Sequence, residues 1–498
     1  MKILFKINKF FILIYLLFGF LFWHFAKEML IVKSNGWYVG QVNLYGDLVY
    51  HFALINKFLA VGSPIIDNPI FAGDKINYPI IPDYLTAVVS QITGIDFALF
   101  IITFFMGILT IFTARLFIRN FIVNEKVIFL SLLLFFLNGG FGFYYFFQDF
   151  LSSDSSILQF LNNIPNEYTD IKENGYWWIN SFLAYFLPQR SFLFAFPVTL
   201  TVLSLLYLGW RKNDKKVFAM AGLLAGVLPL LQAHSLLVLF VLCSFYSVAN
   251  ILTAKNKTNT LLNWLVFGAV TIIIALPLFN LISSIQSPIS FVKFHFGWVS
   301  KENLLWFWLK NLGIFAPVYL ISIVWLVKKR LLFILHLPFI IIFIICNLFI
   351  FQPWDFDNSK LLIYWYFSAS FVVGYFLYNE LFSQNFVKKI LGTVLVFFMV
   401  FSAAVDIFRT FTPASVYQIY SNSDLEVAKS VKNLTPKNSV FVTASNHNHP
   451  IPTLAGRSTY IGFNGWVWSH GIDFSQRANE VAVIYLGGPT AEELITKN

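Results

Sequence analysis

Asp47 and His51 stand four residues apart in a stretch, Gly46 to Asp83, that also holds Asp67, Asp74 and Asp83. A carboxylate beside an imidazole is a pairing suited to proton transfer. Read as a helix, 47–61 sets Asp47, Tyr50, His51 and Leu54 on one face and Leu48, Phe52, Ile55 and Leu59 on the other. Gly46-Asp47 taken alone reads first as a helix cap, because a short acidic side chain accepts from free backbone N–H groups at a helix start. Asp67-Asn68-Pro69 and Ala72-Gly73-Asp74 read as turns, and Tyr78-Pro79 and Ile81-Pro82 close the run.

Four further groups carry unusual polar chemistry. Gln189 and Arg190 follow Pro188 at the start of an apolar run. Arg190 is either an interface residue that snorkels or a phosphate seat helped by the helix N-terminus. Gln232 and His234 sit at the tip of an apolar hairpin. Trp354, Asp355, Asp357 and Lys360 either pair among themselves or grip phosphate and hydroxyls, with Trp354 as a stacking face. Near the C-terminus come His447, His449, Arg457, Trp466, Trp468 and His470. Two histidines at i, i+2 without a fixed third ligand are a weak zinc pattern. No metal ligand set is assigned, and a divalent cation stays open as a cofactor.

The elements that must position these groups are membrane helices. The 498 residues are 58% hydrophobic and only 12% charged, with 60 Phe, which is not the make-up of a soluble domain. Apolar runs of about 20 residues, enough to cross a hydrocarbon layer, recur along the chain. They fall at about 10–26, 97–117, 127–147, 191–210, 217–233, 235–253, 261–285, 312–327, 331–351, 361–378 and 390–408. The net charge of +10 comes in short Lys/Arg clusters between runs, the signature of inner loops, and no nucleic-acid partner is expected. Eleven spans, N-terminus inside, put every inner connection beside such a cluster and leave 411–498 outside. Lys2, Lys6 and Lys9 precede the first run, but no small-residue cleavage site follows it, so an uncleaved span is expected. The chain therefore reads as a polytopic α-helical membrane protein. Amphipathic interface helices are expected in the first outer loop, and two domains, 1–410 and a small α/β domain, 411–498. Cys243 and Cys346 lie within apolar runs and read as buried free thiols.

Under this topology the polar groups share the outer side. With Asp47 on the first outer loop, Asn77-Tyr78-Pro79 thirty residues on and an outer tail, the chain resembles the C-type membrane glycosyltransferases. The similar branch is that of the polyprenyl-phosphate mannosyl- and aminoarabinosyltransferases. Gly46-Asp47 stands where many relatives have two adjacent acids, and Tyr78-Pro79 stands where they have His-Pro. The chain is also similar to a set of bacterial and archaeal multi-span proteins with GD…H, NPIFAG, YP, PQR, QPWD and LAGR elements, which together span most of it. The resemblance implies inverting sugar transfer from a polyprenyl-phosphate donor at the outer face of the cell membrane. The acceptor would be a glycan, lipid or protein. Asp47 would be the general base, oriented by His51, and Arg190 and Lys360 would hold the leaving phosphate. Tyr78, Asp83, Gln189, His234, Trp354, Asp355, Asp357, His449, Arg457, Trp468 and His470 complete the substrate-binding set. Two other classes fit the same polar face: a glycolipid transporter, and a non-catalytic protein of envelope-glycan assembly.

Overall fold

A computed structural model of the chain describes residues 8–283 and 292–497. The last residues expected in the 261–285 span and the first of the outer loop at 286–310 lie outside the described residues, as do Lys2 and Lys6. The described chain is mostly helical. Among the described residues seven helices are long and apolar enough to cross a membrane: Lys9–Glu28, Ile95–Arg119, Arg190–Lys212, Ala233–Thr253, Lys257–Ile282, Asp355–Phe382 and Phe386–Arg409. An eighth is added if Leu304–Leu312 and Phe315–Leu326, which meet at 98°, count as one span. The architecture is thus that of a polytopic α-helical membrane protein, with seven or eight full-length spans against the eleven expected.

The difference has a local cause. Helices do form at the other expected positions, but Glu125–Phe136 and Lys215–Gly226 are 12 residues each. At about 1.5 Å per residue, such a helix reaches only about 18 Å, short of the roughly 30 Å hydrocarbon layer. Arg330–Cys346, at 17 residues, is also short. The helix Glu125–Phe136 stops because Asn138 turns its side chain onto the segment beside it. Asn138 Nδ2 donates to the Ile179 carbonyl at 3.0 Å, and its Oδ1 accepts from the Ser181 N–H at 2.7 Å. Apolar content alone does not register that break.

The helix Ser359–Leu377 is the centre of the bundle, buried along nearly its whole length. It packs against Glu125–Phe136, Phe315–Leu326 and Arg330–Cys346. Its first turn carries Lys360, so the most buried helix sets the position of that cation.

The tail from 411 contains short strands and helices, and its first strand is joined to the loop that follows the helix Lys9–Glu28. Tyr417–Ser421 pairs antiparallel with Gly36–Val39, which pairs in turn with Ile31–Lys33. Asn422–Leu434 and Ser475–Leu486 are the tail's two longest helices. Val440–Phe441 and Ser458–Thr459 form a two-residue parallel pair.

Gly456 fixes the seat of the tail on the first-loop helix, Val42–Val61. Its φ is +64°, and an added Cβ would press into the Asn56 carbonyl oxygen, well inside van der Waals contact. Asn56 in turn donates to the Thr453 carbonyl at 2.8 Å. Gly456→Ala is expected to destabilise the protein by about 1–3 kcal/mol through overpacking, with added backbone strain. A fall in the thermal unfolding midpoint of the detergent-solubilised chain checks this, and an unchanged midpoint would count against it.

Candidate active site

The first-loop helix begins earlier than the pattern suggested. It runs Val42–Val61, and Gln41 is its cap, accepting from the Leu44 N–H at 3.1 Å. Asp47 therefore sits inside the helix and caps nothing. The helix is also buried on both faces through its middle, with Leu48, Tyr50, His51, Phe52, Leu54 and Ile55 all enclosed. The expected amphipathic surface helix is corrected to a buried one, because the tail covers the side that would otherwise meet water.

Asp47, Tyr50 and His51 line a cavity of about 420 Å³. Asn77, Tyr78 and Pro79 form the adjoining wall, and Phe279, Ile282 and Ser283 bring the end of a membrane helix to it. Three helix starts meet the same space. Gln189 and Ser191 come from the start of Arg190–Lys212, Gln232 and His234 from that of Ala233–Thr253, and Asp357 and Lys360 from that of Ser359–Leu377. Helix N-termini carry unpaired N–H groups and positive potential, so their convergence favours an anion. Gln352, Pro353 and Trp354 add an aromatic corner, and Trp466, Ser469 and His470 are supplied by the tail.

Within the cavity the charged groups differ in how they are held. Lys360 Nζ lies 2.9 Å from Asp357 Oδ1. Asp47 has no hydrogen bond or ion pair among the described residues. Burial pushes its carboxyl pKa up, while Lys360 and His51 oppose the rise and Asp357 adds to it. His51 is 1% exposed, and its Nδ1 lies 2.7 Å from Asp83 Oδ2. The expected pairing of His51 with Asp47 is thus corrected to a pairing with Asp83.

Asp83 and Arg190 stand behind the wall instead of lining the cavity. Asp83 is fully buried; its Oδ1 accepts from Arg190 Nε at 3.2 Å, and Arg190 Nη2 bonds the Thr86 hydroxyl. Arg190 is therefore a partner of Asp83 and not a phosphate seat. Four other residues are also corrected. Asp355 Oδ1 accepts from the Phe356 N–H within its own turn. His449 caps the short helix Pro450–Thr453. Arg457 is a latch, donating to the Thr435 hydroxyl and to the carbonyls of Lys432, Thr435 and Ala455. Trp468 is 44% exposed and lies outside the cavity lining. Asp47, His51, Tyr78, Gln189, His234, Trp354, Asp357, Lys360 and His470 are brought together.

Tyr50, Asn77, Ser191, Ser283 and Gln352 line the cavity without having been singled out as site residues. A signal existed for Asn77, which takes a positive φ of 49°. Asn tolerates that conformation, and Asn before Tyr-Pro marks a sharp turn. Among the described residues no group of three or more His, Cys, Asp or Glu side chains is placed to hold a metal ion. His447, part of the weak zinc pattern, instead donates from Nε2 to the Gly46 carbonyl at 2.8 Å, tying the tail to the residue beside Asp47.

His470 makes the tail's contact with the cavity sensitive to acid. Burial, with Lys360 and His51 nearby, holds its pKa down to about 3. A histidine that is neutral when folded but takes a proton when unfolded costs stability below its unfolded pKa of about 6.5. The cost grows as pH falls towards about 3 and is absent above about 7. The unfolding midpoint is expected to fall across that window less steeply in His470→Gln than in the parent chain. Equal slopes would count against the assignment.

No family model matches the chain, and no curated protein matches it either.

Proposed function

We propose that the chain is an integral membrane glycosyltransferase that moves a sugar from a polyprenyl-phosphate donor to an acceptor hydroxyl, with inversion. The observation that carries this reading is Asp47: a cavity carboxylate with a raised pKa and no hydrogen-bonding partner among the described residues, in the field of Lys360. A free carboxylate of raised pKa is a stronger base than an ion-paired one. Three helix N-termini and Lys360 offer positive potential for a leaving phosphate, and Trp354 and Trp466 offer faces for a sugar ring.

In this reading the acceptor hydroxyl loses its proton to Asp47. The oxygen attacks the anomeric carbon, and the bond to the phosphate breaks with its electron pair on the phosphate oxygen. The acceptor is a glycan, lipid or protein. The cavity opens on the extracytoplasmic side of the cell membrane, and a reporter fused after residue 410 is expected to report from outside.

Purified chain in lipid, supplied with polyprenyl-phosphate sugars and scored for glycosyl product, tests the reaction. Lipid movement across the bilayer with no glycosyl product would favour a transporter instead.

A further inference from the structure

We propose that His51 is a second proton-transfer group of the cavity, acting on the leaving phosphate and positioned by Asp83. This rests on the glycosyltransferase reading but stands on its own geometry. His51 Nδ1 is 2.7 Å from Asp83 Oδ2, and the other oxygen of Asp83 accepts from Arg190 at 3.2 Å. A carboxylate accepts, so the proton between them belongs to Nδ1. Nε2 has no protein partner among the described residues, and the ring lines the cavity. Asp83 therefore holds the ring in one tautomer, with Nε2 left for a ligand. Asp83 and Arg190 are positioning residues because they lie behind the wall.

The groups around His51 are Asp47 and Tyr50 on its own helix, Tyr78 from the turn, Asp83 with its partner Arg190 from the two helices behind, and His470 from the tail. Asp47 and His51 are one turn apart on the same helix, close enough to serve opposite sides of one substrate. The acceptor O–H breaks and its proton goes to Asp47, while the acceptor oxygen bonds the anomeric carbon. The carbon–oxygen bond to the phosphate breaks with the electron pair on that oxygen, which takes the Nε2 proton of His51 in its doubly protonated, imidazolium form. His51 is left neutral with its proton on Nδ1, and the proton on Asp47 returns to Nε2 through water before the next cycle.

The test is nitrogen NMR of the full chain in lipid nanodiscs with ¹⁵N-labelled histidine. The His51 signals are assigned by their loss in His51→Gln or, should that chain not fold, in His51→Asn. The neutral ring is expected to carry its proton on Nδ1, and inorganic phosphate is expected to shift the Nε2 signal towards its protonated position. A proton on Nε2 in the neutral ring would overturn the dyad, and an Nε2 signal indifferent to phosphate would overturn the leaving-group role. Neither readout depends on turnover, so failure here is distinguishable from failure of the glycosyltransferase reading.

Discussion

Asp47→Asn is expected to slow sugar transfer by about 10²–10⁴-fold, the usual contribution of a general base. The substitution keeps the size and shape of the side chain. It removes a carboxylate that makes no hydrogen bond or ion pair among the described residues, so no buried partner is stranded and the fold should persist. Donor binding should also persist, because Lys360 and the helix starts remain. The loss therefore belongs in kcat more than in KM. Initial rates of product formation, beside an unfolding midpoint close to the parent's, check both halves. A variant that turns over like the parent would remove Asp47 from the chemistry. A variant that fails to fold would be compared with Asp47→Ala, since the absence of a partner predicts tolerance of both.

The sequence carried the class of the protein and the neighbourhood of the cavity, but not the way its charges are paired. Tyr78, Gln189, His234 and Lys360 were legible because each breaks an apolar pattern at the end of a helix or in a turn, and Asp47 because it is a carboxylate inside a mostly apolar helix. The pairing of His51 with Asp83 was not, since Asp83 lies 32 residues away on another helix and only packing brings them together. Arg457 misled for a related reason. It belongs to the expected substrate-binding set, yet the Thr435 hydroxyl and three backbone carbonyls take four of its five N–H groups. The number of full-length spans departs from expectation where polar side chains such as Asn138 stop a helix that hydropathy would carry on.

Asp83→Ala is expected to cost about 3–5 kcal/mol of stability, because it leaves one partner of a buried ion pair uncompensated. Arg190 is 1% exposed and its Nη1 already lacks a partner among the described residues, so Asp83 and Thr86 carry its interactions. His51 would lose its Nδ1 acceptor in the same stroke. Replacing both partners with apolar residues removes the stranded charge as well as the pair, and such exchanges are often close to neutral. The double variant Asp83→Leu with Arg190→Met is therefore expected to recover much of the loss, though not the orientation of His51. Denaturation midpoints of the two single variants and the double, in one detergent, give the coupling directly. Losses that simply add would mean that the ion pair does not hold this corner of the cavity together. A double variant that regains stability while its His51 signal has left the Nδ1–H tautomer would separate the two tasks of Asp83, compensating a buried arginine and aiming an imidazole.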